Sequence, residues 1–206
     1  MASDTRTRML EATGRLIRER GYHGTSLNEI LAASGAPRGS LYFHFPGGKD
    51  QLVIEVTRTS VAQVATALRR ELAEAKTPAL AVRRIAESIA EMLEASNYAR
   101  SCPVAPVVLD STTDIPELTA LCRQAFEEWI GLLREAFVRS GIPDKRARAL
   151  AMLVEATLEG MMVICRATRD SRPMLLVAAE LEAVLEAAVL EAAVPEKAGK
   201  KLASRA

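Results

Sequence analysis

The sequence predicts an all-α protein. Ala, Leu, Glu and Arg, which favour helix, dominate the composition, and aromatic residues make up only 4% of the 206 positions. Along most of the chain the apolar residues recur at spacings of three and four, whereas no segment alternates between apolar and polar residues as a half-buried strand does. The nine prolines fall mostly between these helical stripes or at their starts, where a helix tolerates them.

Two helices are predicted before residue 35. The first begins near Ser3 or Asp4 and ends at Gly21, because glycine readily adopts the left-handed conformation that terminates a helix. Its apolar face consists of Met9, Ala12, Thr13, Leu16 and Ile17. The second helix begins with a capping-box pattern, in which Ser26 is followed three residues later by Glu29, and it ends before the glycine at position 35.

A third helix is predicted directly after Gly35, with Pro37 in its first turn. Leu41 and Phe45 are four residues apart, so both can face the first helix, whereas the place of Phe43 in core or surface is left open. The outward positions are held by side chains that donate hydrogen bonds, namely Arg38, Ser40, Tyr42 and His44. Two short helices joined by a tight turn, with such donors on the exposed face, are typical of a unit that reads DNA.

The stretch from Gly21 to Lys49 resembles the signature of the TetR family of transcriptional regulators. The residues that carry the resemblance are Gly21, Gly24, Thr25, Ile30, Ser34, Gly35, Gly39, Leu41, Tyr42, His44, Phe45 and Lys49. Pro37 departs from the pattern, which usually has a Ser or Thr helix cap at this position. The run CPVAPVVLD at 102–110, with the Pro-Gly-Gly-Lys link at 46–49, resembles the LmrA/YxaF-like branch of the family. The resemblance implies a helix-turn-helix DNA-binding domain at 1–48 and a helical domain for effector binding and dimerisation at 49–194.

The residues expected to contact double-stranded DNA are Ser26, Arg38, Gly39, Ser40, Tyr42, His44 and Lys49. The Arg38 guanidinium can bond a guanine edge or a phosphate, and the hydroxyls of Ser40 and Tyr42 can donate to phosphate. Lys49 lies near the start of the next helix, whose partial positive charge favours a phosphate. For His44 the contact is implied by its place in the family pattern.

The net charge is unevenly distributed along the chain. Residues 1–50 carry +2, residues 51–194 carry −4 and residues 195–206 carry +3, so the ends are basic and the body is acidic. This asymmetry favours a nucleic-acid contact at the N-terminal end. The basic tail at 195–206 has little apolar content and is expected to be disordered, and either a solubilising role or an accessory DNA contact is open for it.

The rest of the chain is predicted to form long helices around one short segment. The expected bounds, in order, are 49–75, 77–97, 102–110, 114–141, 143–169 and 171–193. Thr77 followed by Pro78 is an N-cap with a proline in the first helical position, and Asp114 with Glu117 resembles a capping box. The segment at 102–110 is short and punctuated by proline.

The last two helices are apolar on almost every side. In the first of them one face is formed by Leu150, Val154, Leu158 and Met161 and another by Met152, Ala156, Gly160 and Val163. A helix with two apolar faces in a small protein must cover the second face, and a partner subunit is the available cover. We therefore expect a homodimer. The residues expected at its interface are Ala156, Gly160, Val163, Val184 and Ala188.

A ligand cavity in the body is implied by the family resemblance. The candidate wall residues are Met92, Cys102, Phe126, Trp129, Met152, Glu155, Glu159 and Met162. Methionine and aromatic side chains can wall an apolar cavity, and a carboxylate can orient a polar ligand atom. For Met92 and Met162 ordinary core packing is the favoured role, and for Trp129 it is equally open. The two glutamates could instead be exposed or pair across the dimer.

Several classes of site are not expected. Cys102, Cys122 and Cys165 are far apart and form no CxxC motif, which argues against a disulfide framework or a zinc site and favours a reducing cytoplasm. The N-terminus has no signal pattern, and glutamates interrupt the most hydrophobic late segment, so no membrane contact is expected. His23 and His44 lack metal-ligand spacing, and neither a Walker motif nor a nucleophile motif is found, so no cofactor, metal or catalytic residue is predicted.

Together these patterns predict a cytoplasmic, homodimeric transcriptional regulator. The favoured function is a repressor that leaves its operator when a small, largely apolar effector binds. The alternative is a ligand-independent architectural DNA-binding protein, and a helical enzyme has little support. A ligand that lowers operator affinity would separate the first two hypotheses.

Overall fold

The structure, a computed structural model, describes residues 2–111 and 115–193, and within these ranges the chain forms nine helices and no strand. The helices are α1 (Ala2–Arg20), α2 (Leu27–Ser34), α3 (Arg38–His44), α4 (Gly48–Glu74), α5 (Pro78–Ala95), α6 (Ala105–Ser111), α7 (Pro116–Arg139), α8 (Asp144–Thr168) and α9 (Arg172–Ala193). The all-α prediction is confirmed. In the described part, no helix has the length and apolar character needed to cross a membrane.

The first three helices and the start of α4 form a head with a small core of its own. That core consists of Met9, Leu16, Ile30, Ala36, Leu41, Phe45 and Leu52. The predicted capping box is present, because the Ser26 hydroxyl accepts from the Glu29 amide at 3.2 Å and the Glu29 carboxylate accepts from the Ser26 amide at 2.8 Å. Gly35 ends α2 in the left-handed conformation, with a φ of 62°. The chain can therefore turn sharply from α2 into α3.

Pro37 lies at a different position from the one predicted. It is the N-cap of α3 rather than a residue of the first turn, with φ −63° and ψ 142°, and α3 begins at Arg38. A ψ in the extended region takes the residue out of the helix although its φ suits one. Proline offers no side-chain acceptor, so α3 has no side-chain cap.

The body is a helical bundle built on one large core. α5 packs mainly on α9, α7 packs on α8, and α4 runs between the head and the bundle and contacts both α1 and α7. Thr77 caps α5 by accepting from the Leu80 amide at 3.1 Å, with Pro78 in the first helical position, as predicted. The α7 helix begins with Ile115 as its N-cap. The predicted cap at Asp114 and the basic tail at 195–206 lie outside the described residues.

Three hydrogen bonds join the end of α1 to the body. Arg166 of α8 donates to the carbonyl oxygens of Arg18 at 3.4 Å and Glu19 at 2.9 Å. The Ser101 hydroxyl donates to the same Arg18 oxygen at 3.0 Å. The last carbonyls of a helix lack partners within it, so these body side chains satisfy groups that would otherwise need water. The head is thus held at its α1 end as well as through α4.

Asp110 adds a further link to the turn after α1. Its carboxylate accepts from the His23 amide at 2.5 Å and lies so close to Gly21 that a Cβ there would meet the carboxylate oxygen at 2.7 Å. Gly21 also has a φ of 75°, which a residue with a side chain adopts only at a cost. Both features require glycine at this position.

Gly21→Ala is expected to lower the free energy of unfolding by about 1–2 kcal/mol, because alanine is strained in the left-handed region and Asp110 must move. Urea denaturation followed by circular dichroism measures this difference. The matched control is Gly131→Ala in the interior of α7, where a Cβ would meet nothing within 4 Å, so this variant should be as stable as the wild type or more so. Equal stability of the two variants would contradict the prediction.

Candidate DNA-binding face and body cavity

The α3 helix presents one face to the head core and the opposite face to solvent. Leu41 and Phe45 are fully buried and hold the helix against α1, with the Arg6 guanidinium over the Phe45 ring at 5.1 Å. Arg38 is exposed in the first turn, and Tyr42 is 54% exposed one turn later. Ser40 and His44 are half-buried. The predicted donors therefore share an accessible surface that can meet a partner.

Gly39 lies on this same surface in an ordinary helical conformation. A Cβ added there would meet nothing within 4 Å, so no contact inside the subunit requires glycine. An absent side chain on an exposed face allows the helix backbone to approach another molecule closely. The position thus adds to the accessible surface a place where a large partner can come near the backbone.

Phe43 is the most exposed aromatic side chain in the described residues, with 79% of its surface accessible. Its ring contacts the His44 ring edge to face, with centroids 5.0 Å apart. The sequence left its place open, but the helical period could have decided it. Residue 43 lies two positions from both Leu41 and Phe45, which places it on the opposite side of the helix from the buried pair.

Two of the predicted DNA contacts already have partners inside the subunit. The Ser26 hydroxyl takes part in the capping box and also donates to the Glu29 carboxylate at 2.8 Å. The Lys49 ammonium lies 3.8 Å from the centroid of the Tyr22 ring, and the Tyr22 hydroxyl donates to Asp50. Desolvation lowers the pKa of Lys49, and the neighbouring carboxylate of Asp50 opposes this shift.

The amides at the start of α4 are also less free than the sequence suggested. The Gly48 amide donates to the Phe45 carbonyl at 2.8 Å, and the Gly47 amide donates to the Gln51 side chain at 3.0 Å. The tight turn between α3 and α4 uses the Gly48 amide to close itself.

A cavity of about 260 Å³ lies in the body between α4, α5, α7, α8 and the segment before α6. Six of the predicted wall residues line it, namely Met92, Cys102, Trp129, Glu155, Glu159 and Met162. Sequence reasoning missed several others from α4 and the segment before α6, namely Val64, Leu68, Arg70, Glu71, Ser101 and Pro103. Val64, Leu68 and Glu71 follow Val61 at spacings of three and four residues, so the buried stripe of α4 could have indicated them.

Two predicted wall residues do not line the cavity. Met152 is 51% exposed, so its prediction as a wall residue is wrong. Met152 precedes Glu155 by three residues, so the two side chains point about 60° apart around the axis of α8. This rotation places Met152 farther from the buried stripe of α8 than Glu155 is. Phe126 is half-buried and packs edge to face on Trp129, with centroids 5.6 Å apart, so it supports the wall from behind.

The cavity contains two carboxyl groups one turn apart on α8. Burial and, to a lesser extent, the neighbouring Glu159 carboxylate together raise the pKa of Glu155 to about 7. Burial also raises the pKa of Glu159, and a hydrogen bond from the Cys102 thiol opposes that shift. The pKa of Cys102 is raised well above its usual value by burial, so this residue stays a thiol. At neutral pH the Glu155 carboxyl is therefore partly protonated.

The outer surface of α8 and α9 is apolar and uncovered in the single subunit. Ala156, Gly160 and Val163 are exposed on α8, and Val184 is exposed on α9, as expected of an interface. Large side chains extend this surface, among them Leu153, Ile164, Leu175, Leu176 and Leu190.

Ala188 does not belong to that surface. Only 1% of its area is accessible, because it continues the buried stripe of Leu181 and Leu185 along α9. Its prediction as an interface residue is wrong, since packing inside the subunit already covers it.

Comparison with known proteins adds the family context. Residues 9–56 match the model of bacterial regulatory proteins of the tetR family, and residues 78–180 match that of the C-terminal domain of transcriptional regulators of the LmrA/YxaF-like type. The chain is similar to the HTH-type transcriptional regulator LmrA of Bacillus subtilis strain 168, with 32% identity over 85% of this chain and 94% of that protein. It is also similar to the HTH-type transcriptional regulator YxaF of the same strain, with 28% identity over 86% of this chain and 93% of YxaF.

A solved structure shares the fold over nearly the whole chain. The crystal structure of a TetR transcriptional regulator from Chloroflexus aurantiacus superposes with a TM-score of 0.75 and 24% identity, covering 90% of this chain and 96% of that one. The arrangement of an N-terminal helix-turn-helix head on a helical body is thus common to both chains.

Proposed function

The chain belongs to the TetR family of bacterial transcriptional regulators, and from this premise we propose that it is a cytoplasmic, homodimeric repressor that a small effector releases from its operator. The observation that carries the proposal is the accessible face of α3, where Arg38 and Tyr42 flank Gly39 while Leu41 and Phe45 anchor the helix from behind. We propose the corresponding domain division, with residues 1–48 reading DNA and residues 49–194 binding effector and partner subunit.

The side chains on α3 suit the major groove. We propose that Arg38 bonds a guanine edge or a phosphate and that Tyr42, Ser40 and His44 donate hydrogen bonds to the DNA backbone. Because Gly39 has no side chain, it would allow the DNA backbone to come close to α3. The exposed Phe43 ring can make apolar contact with a thymine methyl group. Ser26 would have to contact DNA through whichever lone pair its capping bonds leave free.

Dimerisation is supported by the apolar surface of α8 and α9. A monomer rarely leaves so many large apolar side chains uncovered on adjacent helices, and a two-fold axis brings the same surface of two copies together. We propose an obligate interface of about 2,000 Å² or more, centred on Ala156, Gly160 and Val163. It would set the two α3 helices one helical turn of DNA apart, about 34–36 Å.

Release by an effector is supported by the position of the cavity. Ser101 lines the cavity and also donates to the Arg18 carbonyl at the end of α1. The α8 helix likewise carries Glu159, which lines the cavity, and Arg166, which donates to the Glu19 carbonyl of α1. A ligand that favours one arrangement of α4, α8 and this segment would therefore also bias the position of the head. The proposed mechanism is a shift of population toward a spacing of α3 helices that no longer matches the operator.

Mapping the genomic DNA protected by the purified full-length protein tests this function. We expect a few two-fold symmetric sites, with affinities in the range of about 10⁻⁸ to 10⁻¹¹ M. Binding spread over the genome without preferred sites would instead favour an architectural DNA-binding protein. An effector that lowers operator affinity would exclude the architectural alternative.

Lys49→Ala is expected to weaken binding to all sequences alike and to flatten the plot of log affinity against log salt by about 1 for each half-site, because each half-site loses one phosphate contact. Fluorescence anisotropy on operator and random duplexes at four salt concentrations measures both effects. Lys145→Ala, at an exposed position in the first turn of α8, is the matched control and should leave the slope unchanged. An unaltered slope for Lys49→Ala would mean that the ammonium stays on the Tyr22 ring in the complex.

A further inference from the structure

The cavity in the body has an excess of acidic groups over basic ones. Glu155 and Glu159 line it from α8, and Glu71 and Arg70 line it from α4. Arg70 does not neutralise the α8 pair, since it bonds Glu71 at 2.9 Å and leaves 61% of its side chain in solvent. Within the described residues, no cation forms a salt bridge with Glu155 or Glu159. The rest of this wall is mainly apolar.

Nothing else on the cavity wall can balance the two carboxylates. The Cys102 thiol bonds Glu159, but it is neutral and contributes no positive charge. In the described part, α5 and α7 contribute no charged side chain to the wall. A buried carboxylate without a cation is unfavourable, so in the empty cavity the pair takes up protons. Their raised pKa values agree with this account.

Trp129 provides an independent sign that a ligand belongs in the cavity. The side chain is 98% buried, lines the cavity, and has an indole Nε1–H without a hydrogen-bond partner. An indole N–H can only donate, and a buried donor that is left unsatisfied is unfavourable. A ligand with an acceptor atom would satisfy it.

We propose that this cavity binds a small organic cation, an amine or quaternary ammonium with an apolar body and one hydrogen-bond acceptor. The positive charge lies between Glu155 and Glu159, and the acceptor bonds the Nε1–H of Trp129. The apolar body contacts Met92, Leu158 and Met162. The role of this cation as effector rests on the repressor function proposed above, whereas its binding does not.

The proposal predicts a definite pH dependence. The cation binds the ionised carboxyls, and in the free protein their pKa values are raised, so affinity falls as the pH drops through about 7 and protons compete for Glu155. For one displaced proton, affinity rises about tenfold from pH 6 to pH 8. The Cys102 thiol stays neutral over this range because its pKa is raised. The other ionisable groups of the wall, Arg70 and Glu71, form an ion pair with each other. A quaternary ammonium has no proton of its own to lose, which isolates the effect of the protein.

A matched pair of probes separates charge from shape. The probes are 4-methoxyphenyltrimethylammonium and its neutral counterpart 4-tert-butylanisole, titrated into the full-length protein from pH 6 to pH 8. Trp129 is the single tryptophan, so its fluorescence reports binding, and calorimetry repeats the measurement independently of fluorescence. We expect the cation to bind at least tenfold more tightly than the neutral probe at pH 8, and only the cation to show the pH dependence.

Two variants complete the test. The double variant Glu155→Gln, Glu159→Gln keeps the shape of the side chains and should lose at least tenfold in affinity for the cation while its affinity for the neutral probe is unchanged. The control Glu91→Gln, Glu127→Gln, at two exposed positions of α5 and α7, should behave as the wild type. Circular dichroism establishes that both are folded. Equal binding of the two probes, tighter binding of the neutral one, or no binding of the cation would overturn the proposal.

The outcome for operator binding is read separately. A cation that binds but leaves operator affinity unchanged would retain this ligand class and remove its effector role. A neutral probe that releases the operator while the cation does not would retain the repressor function and overturn the ligand class.

Discussion

Gly160→Glu is expected to convert the dimer into folded monomers at micromolar concentration and to abolish detectable operator binding. Gly160 is exposed in the single subunit and has open space around it, so the substitution disturbs no contact within the subunit. Glutamate is also the better helix former. In the dimer the charge would be buried among apolar side chains, once from each subunit, at a cost of several kcal/mol. A loss of about 4 kcal/mol weakens dimerisation roughly a thousandfold.

Sedimentation equilibrium and fluorescence anisotropy with an operator duplex measure the two consequences. The matched control is Ala62→Glu, which adds the same charge at an exposed position of α4, away from α8 and α9. This control should remain a dimer with normal operator affinity. A Gly160→Glu protein that stays dimeric and binds the operator normally would refute the proposed interface, and so would a wild-type monomer.

The double variant Arg38→Ala, Tyr42→Phe is expected to lose at least a hundredfold in operator affinity while it remains a folded dimer. A bidentate contact from arginine to guanine contributes about 1–3 kcal/mol, and a two-fold dimer makes each contact twice. Removal of the Tyr42 hydroxyl adds the loss of a phosphate bond at each half-site. Both side chains are exposed, so their removal should leave the stability of the head almost unchanged.

The single variants distinguish the two roles. Arg38→Ala should narrow the difference in affinity between the operator and a random duplex, whereas Tyr42→Phe should weaken both by a similar factor. Arg84→Ala, at an exposed arginine of α5, controls for the change in net charge and should bind normally. Unchanged operator affinity in the double variant would place the DNA-binding face elsewhere on the protein.

Local patterns predicted most of the fold. Caps and breaks act within one turn of a helix, so Ser26 with Glu29, Thr77 with Pro78, and the left-handed Gly35 could be identified without tertiary information. The apolar period of α8 also divided that helix correctly into a buried face and an exposed one.

Contacts between distant parts of the chain were beyond the sequence patterns. Met152 and Glu155 lie on neighbouring lines of α8, and only the packing of four helices decides which of the two faces the cavity. Likewise, the ammonium of Lys49 in α4 lies over the ring of Tyr22 in the turn after α1, and the helical pattern of the sequence does not indicate that contact. Ala188 looked available for a partner because α9 is apolar on several sides, and only the tertiary packing of the subunit shows that this position is already covered.

The hydrogen bonds between head and body depend little on the side chains of the head. Arg166, Ser101 and Asp110 all bond main-chain atoms of the head, namely the carbonyls of Arg18 and Glu19 and the amide of His23. Every residue supplies a carbonyl and every residue except proline supplies an amide N–H, so these hydrogen bonds do not depend on which side chains stand at positions 18, 19 and 23, apart from the exclusion of proline at 23. The exposed side chains of α3 can therefore change during evolution, or be exchanged for those of a relative, without loss of these hydrogen bonds between head and body.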